Sequence, residues 1–551
     1  MLDRISGEQR VAWVARGALV AVWLVLVVAN YFWLKLDTRP PFWDMAGHSI
    51  AALRIARLLR TTGFPAVVGK FLLANENGYP PLVYQLSAPL AILFGPSADA
   101  LLGVNGIFVG ILLISTYGIA MMMRGHRTGL LAALVTSVYP ILCGLSRHFL
   151  LDFPLVAMVT LSTWLLLRTD EFENRAACAV YGLSLGLGML TKWTFAIFVL
   201  GPFLMVTVRT LSSDSRRRAT NIALALAVGA IVAAPWYLRN LSVLLDVMGM
   251  QSVWAGSEGD PAVGSLRSWT YYLRVLVNDQ LLLPLTVFFV LSCVILMVEG
   301  QCRFRHGLLF LWIAVPFLAF SCFVNKDVRF TMPYLPAIGV ITALGLAAVR
   351  PQAIRMLLIA SLILFAVVQY AGLTFGLSGR LGAHGLPSTC SIPLGSYDLR
   401  LYAEGVHIAS PPRAENWPAP AMLDTMTELA QALGVSHPLQ LTVVPNVPCF
   451  EPNVFIYHAL AKDLPLEVSG VTGVVAVSDA RRRILTSDFV VTKTHDQGPA
   501  WTLQDARSLT ESLDTTSTAL GSHVELIGEH PLPDGSVGRL YRGAAMESGG
   551  E

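Results

Sequence analysis

The chain has 551 residues, 54% hydrophobic and 14% charged, with a net charge of +3 and a mean hydropathy of +0.59. Soluble proteins carry about 25% charged residues, so this composition excludes a disordered chain, a coiled coil and a soluble multidomain protein, and leaves a polytopic membrane protein. Residues 1–375 hold 28 Lys+Arg against 17 Asp+Glu and residues 376–551 hold 11 against 19, so a basic apolar front precedes an acidic tail, which argues against nucleic acid as a partner.

A membrane-crossing helix needs about 20 apolar residues. Runs of that kind predict eleven spans, near 12–34, 100–123, 128–146, 149–167, 177–191, 193–210, 219–238, 280–298, 307–324, 331–349 and 355–375. Val11–Leu34 is too long for a cleavable signal peptide and lacks a cleavage site. The run at 84–94 is too short to span and reads as a surface or re-entrant helix.

Basic residues set the expected orientation. With the N-terminus in the cytoplasm, the inner segments carry Arg4, Arg10 and Arg16, then Arg124 and Arg127, Arg168 and Arg175, Arg209 and Arg216–Arg218, Arg303 and Arg305, and Arg350 and Arg355. The short outer loops carry only Arg147, Lys192, Lys326 and Arg329. This is the positive-inside pattern, and an odd number of spans puts the tail outside the cytoplasm. The two long outer segments are 35–99 and 239–279. In the first, Asp44–Arg60 reads as a helix with Arg54, Arg57 and Arg60 on one face, the pattern of a helix lying in the membrane interface.

The tail, 376–551, reads as a second, soluble α/β domain. Helical stretches near 421–434, 453–463 and 502–519 alternate with strand-like Leu439–Val444, Asp488–Thr492 and Val537–Tyr541. The Pro-rich segment 376–420 reads as an ordered linker or an irregular lead-in. Cys143, Cys178, Cys293, Cys302 and Cys322 lie in or beside spans. Cys390 and Cys449 are the two of the tail, where an oxidising compartment allows a pair that spacing alone does not establish. No Cys/His set has metal-site spacing.

Charge is expensive in a bilayer, so ionisable residues at the outer span ends are the candidates for chemistry. They are Asp44 with His48 four residues on, then Arg147, His148 and Asp152, then Lys192, then Lys326, Asp327 and Arg329. Carboxylates and cations on one side of the membrane suit the departure of an anionic group. Plainer uses stand beside this: Asp44 and Asp152 as helix caps, Lys192 as a snorkelling cation, Lys326 and Arg329 as interfacial anchors, and the Arg54/Arg57/Arg60 face on lipid headgroups.

In order along the chain stand Trp43-Asp44, Tyr79-Pro80-Pro81-Leu82-Val83-Tyr84, Leu93-Phe94-Gly95, Arg147 with Leu151-Asp152-Phe153-Pro154, and Gly186-Leu187-Gly188-Met189-Leu190-Thr191-Lys192-Trp193. Pro235-Trp236-Tyr237-Leu238-Arg239-Asn240 and Asp327-Val328-Arg329-Phe330 with Pro333 and Leu335-Pro336 follow. Over roughly residues 15–350 this resembles the bacterial branch of the protein O-mannosyltransferase and lipid A aminoarabinose transferase superfamily, whose members are GT-C glycosyltransferases. The resemblance implies a helical GT-C membrane domain at 1–375. It also implies transfer of a sugar from a polyprenyl-phosphate carrier to a lipid, glycan or protein acceptor outside the cytoplasm, at a plasma membrane. By position Asp44 is the general base, Asp152 the second acidic residue, Lys192 the donor-phosphate ligand after Thr191, and Arg329-Phe330 the basic-aromatic pair. Relatives often carry Asp-Glu where this chain has Asp44-Met45, and Lys or His where it has Tyr79, so Tyr79 and His48 stand where a phosphate contact is expected.

The chemistry is coherent. A carboxylate that takes the acceptor's proton is worth about 10²–10⁴-fold in rate, and Lys192, Arg329 or Arg147 offer fixed positive charge to the leaving phosphate. Direct attack inverts the anomeric centre. No cofactor and no metal are expected. The alternative is a transporter or flippase for a lipid-linked sugar. Against it, the charged residues lie at one face rather than the midplane and no internal repeat is visible.

Overall fold

The computed structural model describes residues 7–62, 69, 74, 78–212, 216–299, 304–379, 387–395, 397–471, 476–499, 503–515 and 517–546. Arg4, Arg303 and Cys302 of the sequence reading lie outside these. The chain divides into two compact units. One is Met1–Lys35, Phe64–Leu86 and Leu102–Pro412; the other is Leu36–Gly63, Ser87–Leu101 and Arg413–Glu551. The expected border at 375/376 is therefore corrected twice, since the segment holding Asp44 belongs to the second unit and the segment after 376 to the first.

In chain order the helices are α1 (Gly7–Leu36), α2 (Trp43–Thr61), α3 (Leu82–Phe94), α4 (Val104–Arg124), α5 (His126–Ser137), α6 (Pro140–Leu145), α7 (Asp152–Arg168), α8 (Arg175–Met189), α9 (Phe195–Leu211), α10 (Arg216–Arg239), α11 (Leu241–Glu258), α12 (Leu266–Val275), α13 (Leu282–Val298), α14 (Phe304–Ser321), α15 (Leu335–Ala348) and α16 (Gln352–Phe375). Each apolar run of the sequence is largely helical. Among the described residues, five helical stretches are long and apolar enough to cross a membrane: Gln9–Leu36, Ala98–Arg124, Arg216–Arg239, Phe304–Ser321 and Gln352–Phe375. The pair Leu266–Gln280 and Leu282–Val298 qualifies together but is bent by 114°.

The 128–146 run is not one helix. It breaks at Val138–Tyr139, where Tyr139 is extended (ψ 132°) ahead of Pro140, because the proline ring pushes the residue before it out of the α region. The 239–279 segment is largely helical, as α11 and α12. Helices α8 and α10 touch along a seam of small residues. A Cβ on Gly182 would lie 2.4 Å from the Ala225 carbonyl oxygen, and one on Gly186 would lie 2.6 Å from Val232. Small residues of this kind let membrane helices approach backbone to backbone.

Segment 376–420, expected as an ordered linker or an irregular lead-in, holds an antiparallel hairpin, β1 (Thr389–Leu394) and β2 (Tyr397–Ala403). The hairpin is fixed to its own unit. Gln369 of α16 donates to the Ala403 carbonyl and accepts its N–H, and Arg400 pairs with Asp279 at 3.0 Å. Glu404 closes the turn after α16 by accepting from Leu377 N, Ser378 N and Ser378 Oγ.

The second unit contains α17 (Ala419–Ala432), β3 (Leu439–Val443), α18 (Pro452–Ala461), β4 (Leu466–Gly470), α19 (Val477–Thr486), β5 (Phe489–Lys493), α20 (Leu503–Leu513), β6 (Val524–Pro531) and β7 (Val537–Gly543). The sheet order is β4-β3-β5-β7-β6. Strand β3 is parallel to β4 and β5, while β7 is antiparallel to β5 and β6. Strand side chains alternate between faces. Phe489 and Val491 meet Met422, Met426 and Phe455 of α17 and α18, whereas Val490 meets Ile484 and Leu509 of α19 and α20. Cys390 and Cys449 are unpaired.

Candidate active site

In the first unit three chain segments bring four charged side chains together. Asp152 opens α7. The cap position is Leu151, so Asp152 is the first helical residue rather than the cap, and its carboxylate accepts from Lys192. Lys192 sits in the turn between α8 and α9. Its Nζ lies 2.7 Å from Asp152 Oδ1 and 5.7 Å from the Phe330 ring centroid. The turn depends on Gly188, because a Cβ there would lie 2.2 Å from the Phe195 ring, and Thr191 Oγ1 closes it onto the Leu187 carbonyl at 2.9 Å.

Arg329 comes from the loop after α14. Its Nη1 lies 3.8 Å from Asp152 Oδ2. Its Nη2 and Nε grip Asp327 at 2.7 and 3.1 Å, the forked geometry in which guanidinium–carboxylate pairs are strongest. His407 Nε2 lies 3.9 Å from Asp327 Oδ1. Burial alone would raise the Asp327 carboxyl, but the Arg329 charge and its hydrogen bonds, with His407, hold it well below the usual carboxylate range. Two carboxylates thus face two fixed cations in a largely dry setting, with Asp152 and Lys192 only 3% and 8% exposed. An anion arriving here meets cations that are already oriented, and competes with Asp152 for them.

The frame around this cluster is specific. Gln280, at the bend between α12 and α13, donates to Val328 O and Thr331 Oγ1, both at 2.9 Å, and so pins the Arg329 loop. Lys326 is buried and donates to the Phe320 and Ser321 carbonyls at 2.7 and 2.8 Å, closing the C-terminus of α14, where positive charge is favoured. Its expected role as an interfacial anchor is corrected to a helix cap. Leu82 N donates to Leu190 O at 3.1 Å, which ties the half-buried Tyr79-Pro80-Pro81 turn to the Lys192 turn.

Arg147 does not join the cluster. It is 2% exposed. Nε donates to Asn30 Oδ1 at 2.9 Å, and Nη2 to Thr374 Oγ1 at 2.7 Å and Cys143 Sγ at 3.4 Å. The guanidinium also lies over the Trp33 and Tyr370 rings. Nε and Nη2 are thus engaged in the packing of α1, α6 and α16, while Nη1 is buried without a hydrogen-bond partner.

Asp44 and His48 lie in the second unit. Asp44 is exposed in the first turn of α2, and His48 is buried on that helix. Asp44 is not the cap. The cap position is Phe42, whose side chain has no oxygen to offer. The missing acceptor is Glu451, whose Oε1 takes the Trp43 N–H at 3.1 Å while Oε2 takes the Asn453 N–H at 2.8 Å. Trp43 has φ +47°, an uncommon conformation for a bulky residue, and its Nε1 donates to Asn446 Oδ1 at 3.1 Å. Burial pushes the Glu451 carboxyl up to about 7. The backbone hydrogen bonds oppose this rise and the Asp44 charge adds to it.

The interface-helix reading of α2 is also corrected. The helix packs on α18, Arg57 pairs with Asp463 at 2.9 Å, and Arg60 reaches the Ala91 and Ile92 carbonyls at 3.4 Å. Sequence reasoning did not find Glu451, Asn446 or His407. Glu451-Pro452 ahead of an apolar run is a helix-start signal, but nothing local links it to Trp43.

Residues 79–238 match the family described as dolichyl-phosphate-mannose-protein mannosyltransferase. The curated "Putative mannosyltransferase YkcB" of Bacillus subtilis is 27% identical over 165 residues, a match covering 29% of this chain and 22% of that protein's length. Among solved structures, ArnT from Cupriavidus metallidurans in the apo state aligns with a TM-score of 0.62 at 14% identity, over 97% of this chain and 99% of that one. The same protein bound to undecaprenyl phosphate aligns at 0.61, with 14% identity, over 96% and 98%. The oligosaccharyltransferase AglB of Archaeoglobus fulgidus, in complex with an inhibitory peptide and a dolichol-phosphate, aligns at 0.52 with 11% identity, over 95% and 74%. The structural likenesses, at 11–14% identity, show that the chain shares the fold of these transferases, an apolar helical part with a C-terminal α/β domain.

Proposed function

We propose that this protein transfers a sugar from a polyprenyl-phosphate carrier to an acceptor hydroxyl or amine outside the cytoplasm, with inversion at the anomeric carbon. The observation that carries this reading is the Asp152–Lys192–Arg329–Asp327 constellation, a preformed pair of cations held in place by carboxylates. Preorganised charge of this kind acts on a leaving group without reorganising at the moment of reaction. Two fold neighbours, one bound to undecaprenyl phosphate and one in complex with a dolichol-phosphate, agree with such a donor.

In this reading the acceptor oxygen or nitrogen forms a bond to the anomeric carbon as the bond from that carbon to the phosphate oxygen breaks. The electron pair of the broken bond leaves with the polyprenyl phosphate, whose negative charge Lys192 and Arg329 neutralise. The acceptor's proton passes to Asp44 as general base. Tyr79 and His48 are further candidates for contact with the donor phosphate. Asp152 acts by orienting Lys192 and Arg329, and no metal is assigned a part. The N-terminus is cytoplasmic, and the α/β domain lies on the side of the acceptor.

Purified protein in lipid, given a panel of radiolabelled polyprenyl-phosphate sugars, tests the proposal. Transfer or slow hydrolysis of one donor, lost in Asp44→Asn and in Lys192→Ala, is expected. Failure of every donor to bind would overturn it.

A further inference from the structure

From the geometry around Trp43 we infer that Glu451, with Asn446, is a positioning residue for the base Asp44. It holds the first turn of α2 by supplying the helix cap that the local sequence lacks. This rests on the reading of Asp44 as general base.

A helix leaves its first N–H groups without intrahelical partners, and a residue just outside the helix normally supplies an oxygen. Here that residue is Phe42, extended at φ −137° and ψ 160°, with no side-chain cap bond. The oxygen comes instead from Glu451, 408 residues away. The same carboxylate caps α18 through Asn453 N. One buried carboxyl group, 2% exposed, therefore offers an oxygen to the first turn of each of two helices.

The residue it grips is the immediate neighbour of Asp44, and that residue is held in an uncommon left-handed conformation by two separate tethers, Glu451 on the backbone and Asn446 on the indole. Strained backbone persists where surrounding structure over-determines it. The strain and both tethers converge on one residue, and the residue after it carries the proposed base. An amide at 451 keeps one acceptor oxygen and loses the other, so one of the two helix caps is lost while the packing volume stays the same.

The test uses full-length protein in lipid with a donor that the wild type turns over, and four forms: wild type, Asp44→Asn, Glu451→Gln and Asn446→Ala. Asn446→Ala removes the indole tether without touching the cap of α18, so it decides the matter if Glu451→Gln does not fold. Glu451→Gln and Asn446→Ala are each expected to lower kcat about tenfold or more, with KM for donor within about twofold and thermal stability near wild type, because a misplaced base costs rate rather than ground-state binding. Folded Glu451→Gln and Asn446→Ala proteins with wild-type kcat, beside an inactive Asp44→Asn, overturn the positioning role and leave the base reading standing. Loss in KM alone also overturns it. Full activity in Asp44→Asn removes the base reading and this inference with it.

Discussion

Lys192 Nζ and Asp152 Oδ1 lie 2.7 Å apart, joining the turn between α8 and α9 to the first turn of α7. Breaking a buried ion pair from one side leaves an uncompensated charge, at a cost of about 3–5 kcal/mol. Lys192→Ala therefore acts twice. It removes a cation from the donor site and leaves Asp152 facing Arg329 alone at 3.8 Å. Donor affinity, measured with radiolabelled polyprenyl phosphate, is expected to fall about tenfold or more, and Lys192→Arg to recover part of it. Unchanged donor binding in a folded Lys192→Ala protein would sink the assignment.

Asp152→Asn separates orientation from proton transfer. If Asp152 aligns Lys192 and Arg329, the amide weakens donor binding and kcat together. The acidic limb of the pH–rate profile should stay where it is in wild type, because the base is elsewhere. A shift of that limb in Asp152→Asn would instead make Asp152 the base.

Arg147→Ala is expected to destabilise without changing donor affinity. The substitution strands Asn30 Oδ1 and Thr374 Oγ1, which its guanidinium engages, and empties a packed site. Together these are worth about 3 kcal/mol. A lowered melting temperature with donor binding intact is the expected pair of results, and the reverse pair would return Arg147 to the phosphate site.

Glu451 makes stability depend on pH with a defined sign. Its carboxyl rises on folding from 4.5 to about 7, so its contribution is fully present below about pH 4.5 and is lost as pH climbs through 7. The span corresponds to roughly 3 kcal/mol. Wild type should lose melting temperature between pH 5 and 8 more steeply than Glu451→Gln does. Parallel curves would show that the carboxyl does not titrate in that window.

Turnover is expected to withstand EDTA, because Lys192 and Arg329 take the phosphate in the proposed reaction. Loss of activity on chelation, restored by a divalent cation, would contradict that assignment.

The sequence carried the helical front well, because long apolar runs have one stable solution in a bilayer. It carried less where local and distant chemistry compete. Pro140 broke a run that hydropathy alone read as continuous. The β1–β2 hairpin lay hidden in a Pro-rich stretch because its stability comes from Gln369 and Asp279 of its unit rather than from its own alternation. At the site, Lys192, Asp152 and Arg329 were legible as rare charges beside apolar spans, and the structure brings them together. Arg147 carried the same signal and lies apart from that cluster, against Asn30 and Thr374, since rarity marks a charge as significant without saying what it faces. Glu451 was silent because a cap supplied from 408 residues away leaves no mark near the helix it closes.

That distance bears on how the chain is made. The helix carrying Asp44 is translated early, while the carboxylate that finishes its first turn is among the later residues to appear. A chain interrupted before Glu451 contains the whole Asp152–Lys192–Arg329 cluster but holds Asp44 on an unfinished turn. An excised tail starting at Arg413 lacks the α2 face on which α18 packs.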